Sequence, residues 1–151
     1  MITPEVDGLR TRYGFPGMRI LQFAFAGAIE RRFLPHNYEP NTVVYTGTHD
    51  NDTTLGWYRR AAPAEKRFMQ HYLGGVGPDI SWDLMRAAWS SVAVLAVAPL
   101  QDVLALGSEA RMNLPGQPSG WWRWRCQAGQ LTPAHIARLR ELTELYERGS
   151  S

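Results

Sequence analysis

The sequence predicts an α/β fold of about three parallel strands joined by helical crossovers, one part of a (β/α)8 TIM barrel and not a closed barrel by itself. Three observations carry this expectation. Helix-start and helix-stop signals alternate with short apolar or β-branched runs, the order that parallel sheets with crossover helices produce. The run Thr42-Val43-Val44-Tyr45-Thr46 leads into Gly47-Thr48-His49-Asp50-Asn51-Asp52, so a strand delivers imidazole, carboxylate and amide groups at its C-terminal tip, where α/β barrels do their chemistry. Finally, 151 residues fall short of the roughly 200 to 250 that eight strand and helix units require.

Thr3-Pro4-Glu5 reads as an N-cap, a proline in the first turn and an acid favoured by the helix dipole, with Val6, Leu9 and Tyr13 at helical spacing and Gly14 as a stop. Met18 to Phe25 is a mostly apolar run of a length suited to a strand buried on both faces, with Gln22 as its polar exception. The β-branched and aromatic segment Thr42 to Thr46 is the second strand. A helix then follows from about Thr54 to Ala61, broken by Pro63, which starts another through Tyr72. Ser81 is placed to cap a helix whose Leu84, Ala88, Val92 and Leu95 recur at helical spacing until Pro99. Asp102 to Leu106 is the third strand candidate, and its exit loop, Gly107 to about Gln130, is long enough to suggest function. Thr132-Pro133 opens the last helix, with Ile136, Leu139, Leu142 and Tyr146 directed at the core. The chain divides into one segment, 1–148, and a frayed tail, 149–151.

Composition narrows the function. The apolar share of 44% and charged share of 20% are those of a globular protein. Sixteen basic and fourteen acidic side chains are scattered rather than blocked, so neither nucleic acid nor a membrane surface is an expected partner. No apolar stretch approaches the ~18 residues of a membrane span, and the first residues lack a signal-peptide pattern; cytoplasmic localisation is expected. Single Cys126 excludes an internal disulfide, and His36, His49, His71 and His135 show no ligand spacing, so no metal is expected.

Asp50 is the foremost catalytic candidate because its strand tip would face a barrel mouth. Capping of the next helix is the alternative for both Asp50 and Asp52. His49 is a candidate hydrogen-bonding group or general base, against the alternative of a satisfied structural histidine. No G-x-S-x-G elbow supports a Ser-His-Asp site, and the glycines form no phosphate-binding loop. Ala110 to Gly116 is either a substrate loop beyond a strand or a surface turn around Pro115-Gly116. Trp121, Trp122 and Trp124, interleaved with Arg123 and Arg125, are either stacking platforms or anchors of the loop to the core.

Tyr13-Gly14-Phe15-Pro16-Gly17 through Phe25, then Leu34-Pro35-His36-Asn37-Tyr38, then Tyr45 to Trp57, closely resemble the 4-α-glucanotransferases called amylomaltases or disproportionating enzymes. Pro99 to Leu104 and Gly107 to Gly116 extend the similarity over nearly the whole chain. Trp121 departs from it, standing where the family usually has asparagine.

The resemblance implies the C-terminal portion of an α-amylase-like barrel that needs no cofactor. Such enzymes pass segments of α-1,4-glucan, as in starch, glycogen and maltooligosaccharides, to another glucan or glucose by retaining double displacement. Two carboxylates about 5 Å apart serve as nucleophile and acid/base, and a third carboxylate steadies the oxocarbenium-like transition state. By resemblance Asp50 is that third carboxylate, His49 is its sugar-binding neighbour, and Asn113 is a glucan contact on the overhanging loop. The nucleophile and acid/base would both precede Met1, since Glu5 matches the family's ordinary first-turn glutamate. The isolated chain is therefore expected to be inactive, and its unclosed sheet to aggregate or remain molten. Its expected partners are α-1,4-glucans, maltooligosaccharides and the missing N-terminal part of the barrel. The alternative is an inactive truncated module that only binds glucan or pairs with a separate N-terminal part.

Overall fold

The computed structural model describes residues 3–25 and 28–149, so Ser150 and Ser151 of the expected tail lie outside the described residues. Its centre is a parallel sheet in the order β1 (Gly17–Ile20), β2 (Thr42–Tyr45), β3 (Leu95–Val97). Ile20 pairs with Tyr45 and Tyr45 with Val97. Because side chains alternate across a strand, residues in register share a face; Ile20, Tyr45 and Val97 look toward one open cleft, while Val44 is fully buried on the other side.

The α-helices are α1 (Pro4–Arg12), α2 (Thr54–Arg60), α3 (Pro63–Tyr72), α4 (Ile80–Trp89), the single turn α5 (Leu100–Val103) and α6 (Pro133–Leu145); α3 and α4 share the core with Val44 on that second side, while α1 buries no residue. Proline in the first turn with Thr3, Ala62 or Thr132 before it sets the starts of α1, α3 and α6, since proline's missing N–H costs nothing there. Helix α4 buries two faces. Ile80, Leu84 and Ala88 join Leu21, Phe25, Leu34, Val44 and Met69 in the main core. Trp82 and Met85 turn to Val103 of α5 and Leu142 of α6 in a smaller one.

Four expectations are corrected. The run from Met18 is a strand only to Ile20; Leu21–Phe25 is a 3-10 helix. Leu21, Gln22, Ala24 and Phe25 are buried and Phe23 is not, a helical rather than alternating pattern. Ser81 does not cap α4: it lies inside the helix, after Asp79 at the cap position, with its buried hydroxyl unpartnered among the described residues.

The third strand is Leu95–Val97, not Asp102 to Leu106, and Asp102 and Val103 belong to α5. Helix α4 stops at Trp89 because Arg148 donates to Trp89 O, Ser91 O and Ala93 O, satisfying carbonyls at and just beyond a helix end. That frees Val94 N to bond Pro40 O at 2.9 Å and begin the sheet edge. Lastly, Ile136 does not face the core and is 44% exposed, whereas Leu142 is 4% exposed.

The sheet leaves apolar surface at both sides. Val6, Leu9, Tyr13, Phe15 and Met18 near β1, and Val92, Val94 and Leu95 near β3, are all at least half exposed.

Gly56 in α2 is set by close approach. A Cβ there would lie 2.3 Å from Ser108 Oγ and 2.8 Å from both Ser108 N and Asp52 Oδ2. Alanine would gain about 1 kcal/mol in helix propensity, but overpacking against backbone costs roughly 1–3 kcal/mol. Gly56→Ala in the full-length protein is expected to lower the urea midpoint; a raised midpoint would show that the loop at Ser108 yields freely.

Candidate functional site

Strand β2 ends at Tyr45, and the turn that follows is tied to itself. Thr48 N and Oγ1 both donate to Asn51 Oδ1, at 3.0 and 2.8 Å, and Asp50 N donates to Thr48 Oγ1 at 3.3 Å. Thr53, rather than Asp50 or Asp52, caps α2: its Oγ1 accepts from Gly56 N at 3.1 Å. Asp50 is thereby left to project into a cleft of about 940 Å³ whose wall includes Ile20, Tyr45, Trp57 and Val97.

The structure brings His49, Asp50 and Asn113 together. Asn113 Nδ2 donates to Asp50 Oδ1 at 2.6 Å, and His49 Nε2 lies 3.3 Å from the same oxygen. Asp50 Oδ2 takes no hydrogen bond among the described residues. Asn113 N also donates to His49 O at 3.1 Å, so the loop after the 3-10 turn Ser108–Ala110 sits over the strand tip. The Trp122 ring packs 5.2 Å from the His49 ring. Trp122 itself adopts φ 64°, held by its N–H on Met112 O at 2.7 Å. A bulky residue in the left-handed region is strained, and such strain concentrates around functional sites.

Beneath the turn, two buried carboxylates do structural work. Asp52 Oδ2 accepts from Ser108 Oγ at 2.7 Å and pairs with Arg60, while its Oδ1 accepts from Thr53 N. Asp102 is 1% exposed. Thr46 Oγ1 donates to its Oδ2 at 2.6 Å, Thr54 Oγ1 to the same oxygen at 2.7 Å, and Thr54 N to Oδ1 at 2.8 Å. Burial pushes this carboxyl above its ordinary range despite those hydrogen bonds, with Asp52 adding like-charge repulsion. Asp102 thus joins the end of β2 to the first turn of α2 and fixes both ends of the His49 to Asn51 turn. Gln22 completes the floor through a 2.9 Å bond from Nε2 to Asp52 O; a Cβ on Gly47 would lie 2.7 Å from that nitrogen.

Sequence reasoning missed Asp102, which the apolar run Val103 to Leu106 disguised as the start of a strand, although Pro99 three residues earlier signals a helix start. It also passed over Arg111, whose contacts are visible only in three dimensions. Among the described residues, no group of three His, Cys, Asp or Glu is arranged to hold a metal ion, and no helix is long and apolar enough to cross a membrane.

Residues 1–132 match a family model described as 4-alpha-glucanotransferase. The chain is 59% identical over 156 residues to the 4-alpha-glucanotransferase of Thermus thermophilus, covering 98% of this chain and 31% of that protein. It is 51% identical over 150 residues to the one of Synechocystis sp., covering 98% of this chain and 30% of the relative. With a chloroplastic/amyloplastic 4-alpha-glucanotransferase of Arabidopsis thaliana it shares 47% identity over 152 residues, covering 98% and 26%. The chain therefore spans less than a third of the length of these relatives. Its fold is similar to that of the amylomaltase from Streptococcus agalactiae in complex with acarbose, with a TM-score of 0.94 and 32% identity over 99% of this chain and 31% of that one.

Proposed function

The chain belongs to the 4-alpha-glucanotransferase family, and from that membership we propose that it forms the C-terminal portion of a barrel that transfers α-1,4-glucan segments between chains. Asp50 supplies the carboxylate that stabilises the transition state, while His49 and Asn113 position the donor sugar. The nucleophile and the acid/base come from residues outside this sequence.

One observation carries this reading. Asp50 stands at the cleft wall with Oδ1 held by Asn113 and His49 and no hydrogen bond on Oδ2 among the described residues. In a retaining displacement the anomeric carbon gains positive charge, and hydrogen bonds to the neighbouring sugar hydroxyl strengthen in the transition state. A carboxylate oxygen already fixed in direction needs little reorganisation to accept that hydroxyl and to oppose that charge. The apolar side chains of Ile20, Tyr45 and Val97 and the ring of Trp57 offer a surface for the C–H faces of the sugar. Transfer rather than hydrolysis follows when a second glucan fills the cleft and keeps water from the covalent intermediate.

The exposed apolar side chains flanking β1 and β3 also fit a protein that works only when further strands cover them, whether on the same polypeptide or a separate one. The test is to incubate maltotriose with the full-length protein, with the 151 residues alone, and with these residues mixed with a polypeptide carrying the preceding strands. Full-length protein is expected to release glucose and build longer maltooligosaccharides, and the 151 residues alone to do neither. Recovery on mixing would favour assembly from two pieces. Transfer by the 151 residues alone would refute the need for outside carboxylates.

A further inference from the structure

Arg111 stands 61 residues from Asp50 in the chain, yet its guanidinium joins the two halves of the site. Its Nη2 donates to Asp50 O and its Nε to Asn113 O, both at 2.7 Å. A planar guanidinium offers donors in a fixed fork, so two carbonyls held this way cannot shift independently. The ring of Trp121 lies 6.0 Å from the Arg111 Cζ and backs the guanidinium from the side.

Among the described residues, three hydrogen bonds tie residues 111–116 to the strand tip. One comes from Arg111 to Asp50 O, one from Asn113 N to His49 O and one from Asn113 Nδ2 to Asp50 Oδ1. Both of the last two depend on where the Asn113 backbone sits, and Arg111 grips that backbone by its carbonyl. Loop 111–116 contains neither helix nor strand; Trp122 N on Met112 O and Asn113 N on His49 O hold its backbone in part, and loss of the fork would leave the Asn113 side chain free to move off Asp50.

We propose that Arg111 is a positioning residue of the transfer reaction: by bridging Asp50 O and Asn113 O it fixes Asn113 against Asp50 and so sets where the carboxylate lies as the sugar becomes cationic. This inference rests on the role given to Asp50 above. Because Arg111 spends its donors on two backbone carbonyls and not on sugar, it acts through the contact of Asn113 with Asp50, and the larger part of its effect falls on the transition state that Asp50 faces.

The test uses the full-length protein and its Arg111→Met, Arg111→Lys, Asn113→Ala and Arg111→Met/Asn113→Ala variants. Arg111→Met keeps the stem and removes the fork. It is expected to lower kcat for maltotriose disproportionation by up to about 100-fold, the scale that a misplacement of about 1 Å produces, with KM changed less than about threefold and an unchanged Tm. Adding Asn113→Ala to Arg111→Met should cost almost nothing further, since both act through one contact. Arg111→Lys retains charge but reaches only one carbonyl, and should recover little of the rate.

A large rise in KM with kcat intact would make Arg111 a direct sugar contact and overturn the proposal. So would multiplicative losses in the double variant, full activity of Arg111→Lys, or a rate loss that merely follows a fall in Tm. A crystal structure of ligand-free Arg111→Met separates this inference from the functional reading. Asn113 is expected to leave hydrogen-bonding distance of Asp50, and if it remains in place the positioning role is wrong whatever the kinetics. Wild-type protein that leaves maltotriose untouched would instead sink the glucanotransferase reading, while the position of Asn113 still decides whether Arg111 places it.

Discussion

In the full-length protein, Asp50→Asn is expected to slow glucose release from maltotriose by about 10³-fold or more, roughly 4 kcal/mol of lost transition-state stabilisation. The substitution preserves shape. Its amide oxygen can still accept from Asn113 Nδ2, which now bonds Oδ1 at 2.6 Å, so the loop stays over the strand tip. If Asp50 stabilises the transition state as proposed, what disappears is the negative charge beside the developing oxocarbenium ion. Because Asp50 is on the cleft wall and its side chain is 49% exposed, no buried charge is stranded, and Tm should move by no more than about 1–2 °C. Steady-state assays with maltotriose and a thermal melt check both parts. Retained turnover would remove Asp50 from the reaction, and a melt lowered by many degrees would make it a structural residue.

Asp102→Ala should produce the largest loss of stability, about 3 kcal/mol. It strands two threonine hydroxyls and the Thr54 N–H, all now bonded to the carboxylate, inside a site of almost no solvent access. The N–H belongs to the first turn of α2, where an anion is favoured by the helix dipole. Asp102→Asn keeps the shape and one accepting oxygen for Thr54 N, while its NH2 takes the place of the oxygen that accepts from Thr46 and Thr54; with those hydroxyls turning to accept instead, it should cost nearer 1 kcal/mol. The pH dependence separates charge from shape. Folding raises the Asp102 carboxyl above its ordinary value of 3.8, so between that value and the folded one the native state holds more protons than the unfolded state. Through that window this group makes the protein less stable as pH rises and more stable as pH falls. Urea midpoints as a function of pH should show this slope in wild type and its loss in Asp102→Asn. An unchanged slope would place the proton elsewhere.

Local chemistry made several elements legible. Pro4, Pro63 and Pro133 fix helix starts, and Thr42-Val43-Val44-Tyr45 can hardly be anything but a strand. The place of Asp50 beside the cleft was legible for the same reason, since it follows the strand tip directly. The errors at the end of α4 and at the third strand lie where a distant residue decides a local outcome. Leu84, Ala88, Val92 and Leu95 keep helical spacing, but Arg148 ends the helix at Trp89 from 59 residues away. The freed Leu95–Val97 then takes the place beside β2 that Asp102 to Leu106 was expected to fill. That later segment cannot be a strand, because Asp102 is committed to Thr46 and Thr54 across distances of 56 and 48 residues. Met18 to Phe25 failed differently: eight apolar or long side chains satisfy a strand and a tight helical turn equally, and only the pocket for Gln22 beside Gly47 selects the turn after Ile20. Arg111 was hidden because a bridge between two carbonyls leaves no pattern in side-chain types.

The most direct measurement compares a charged and a neutral ligand at one carboxylate. If Asp50 opposes positive charge on the sugar ring, Asp50→Asn in the full-length protein should weaken inhibition by a cationic imino sugar such as 1-deoxynojirimycin by about 50-fold or more, while KM for maltotriose shifts less than about threefold. Equal weakening of both ligands would show a general sugar contact, and no weakening of either would show that Asp50 does not face the reacting ring.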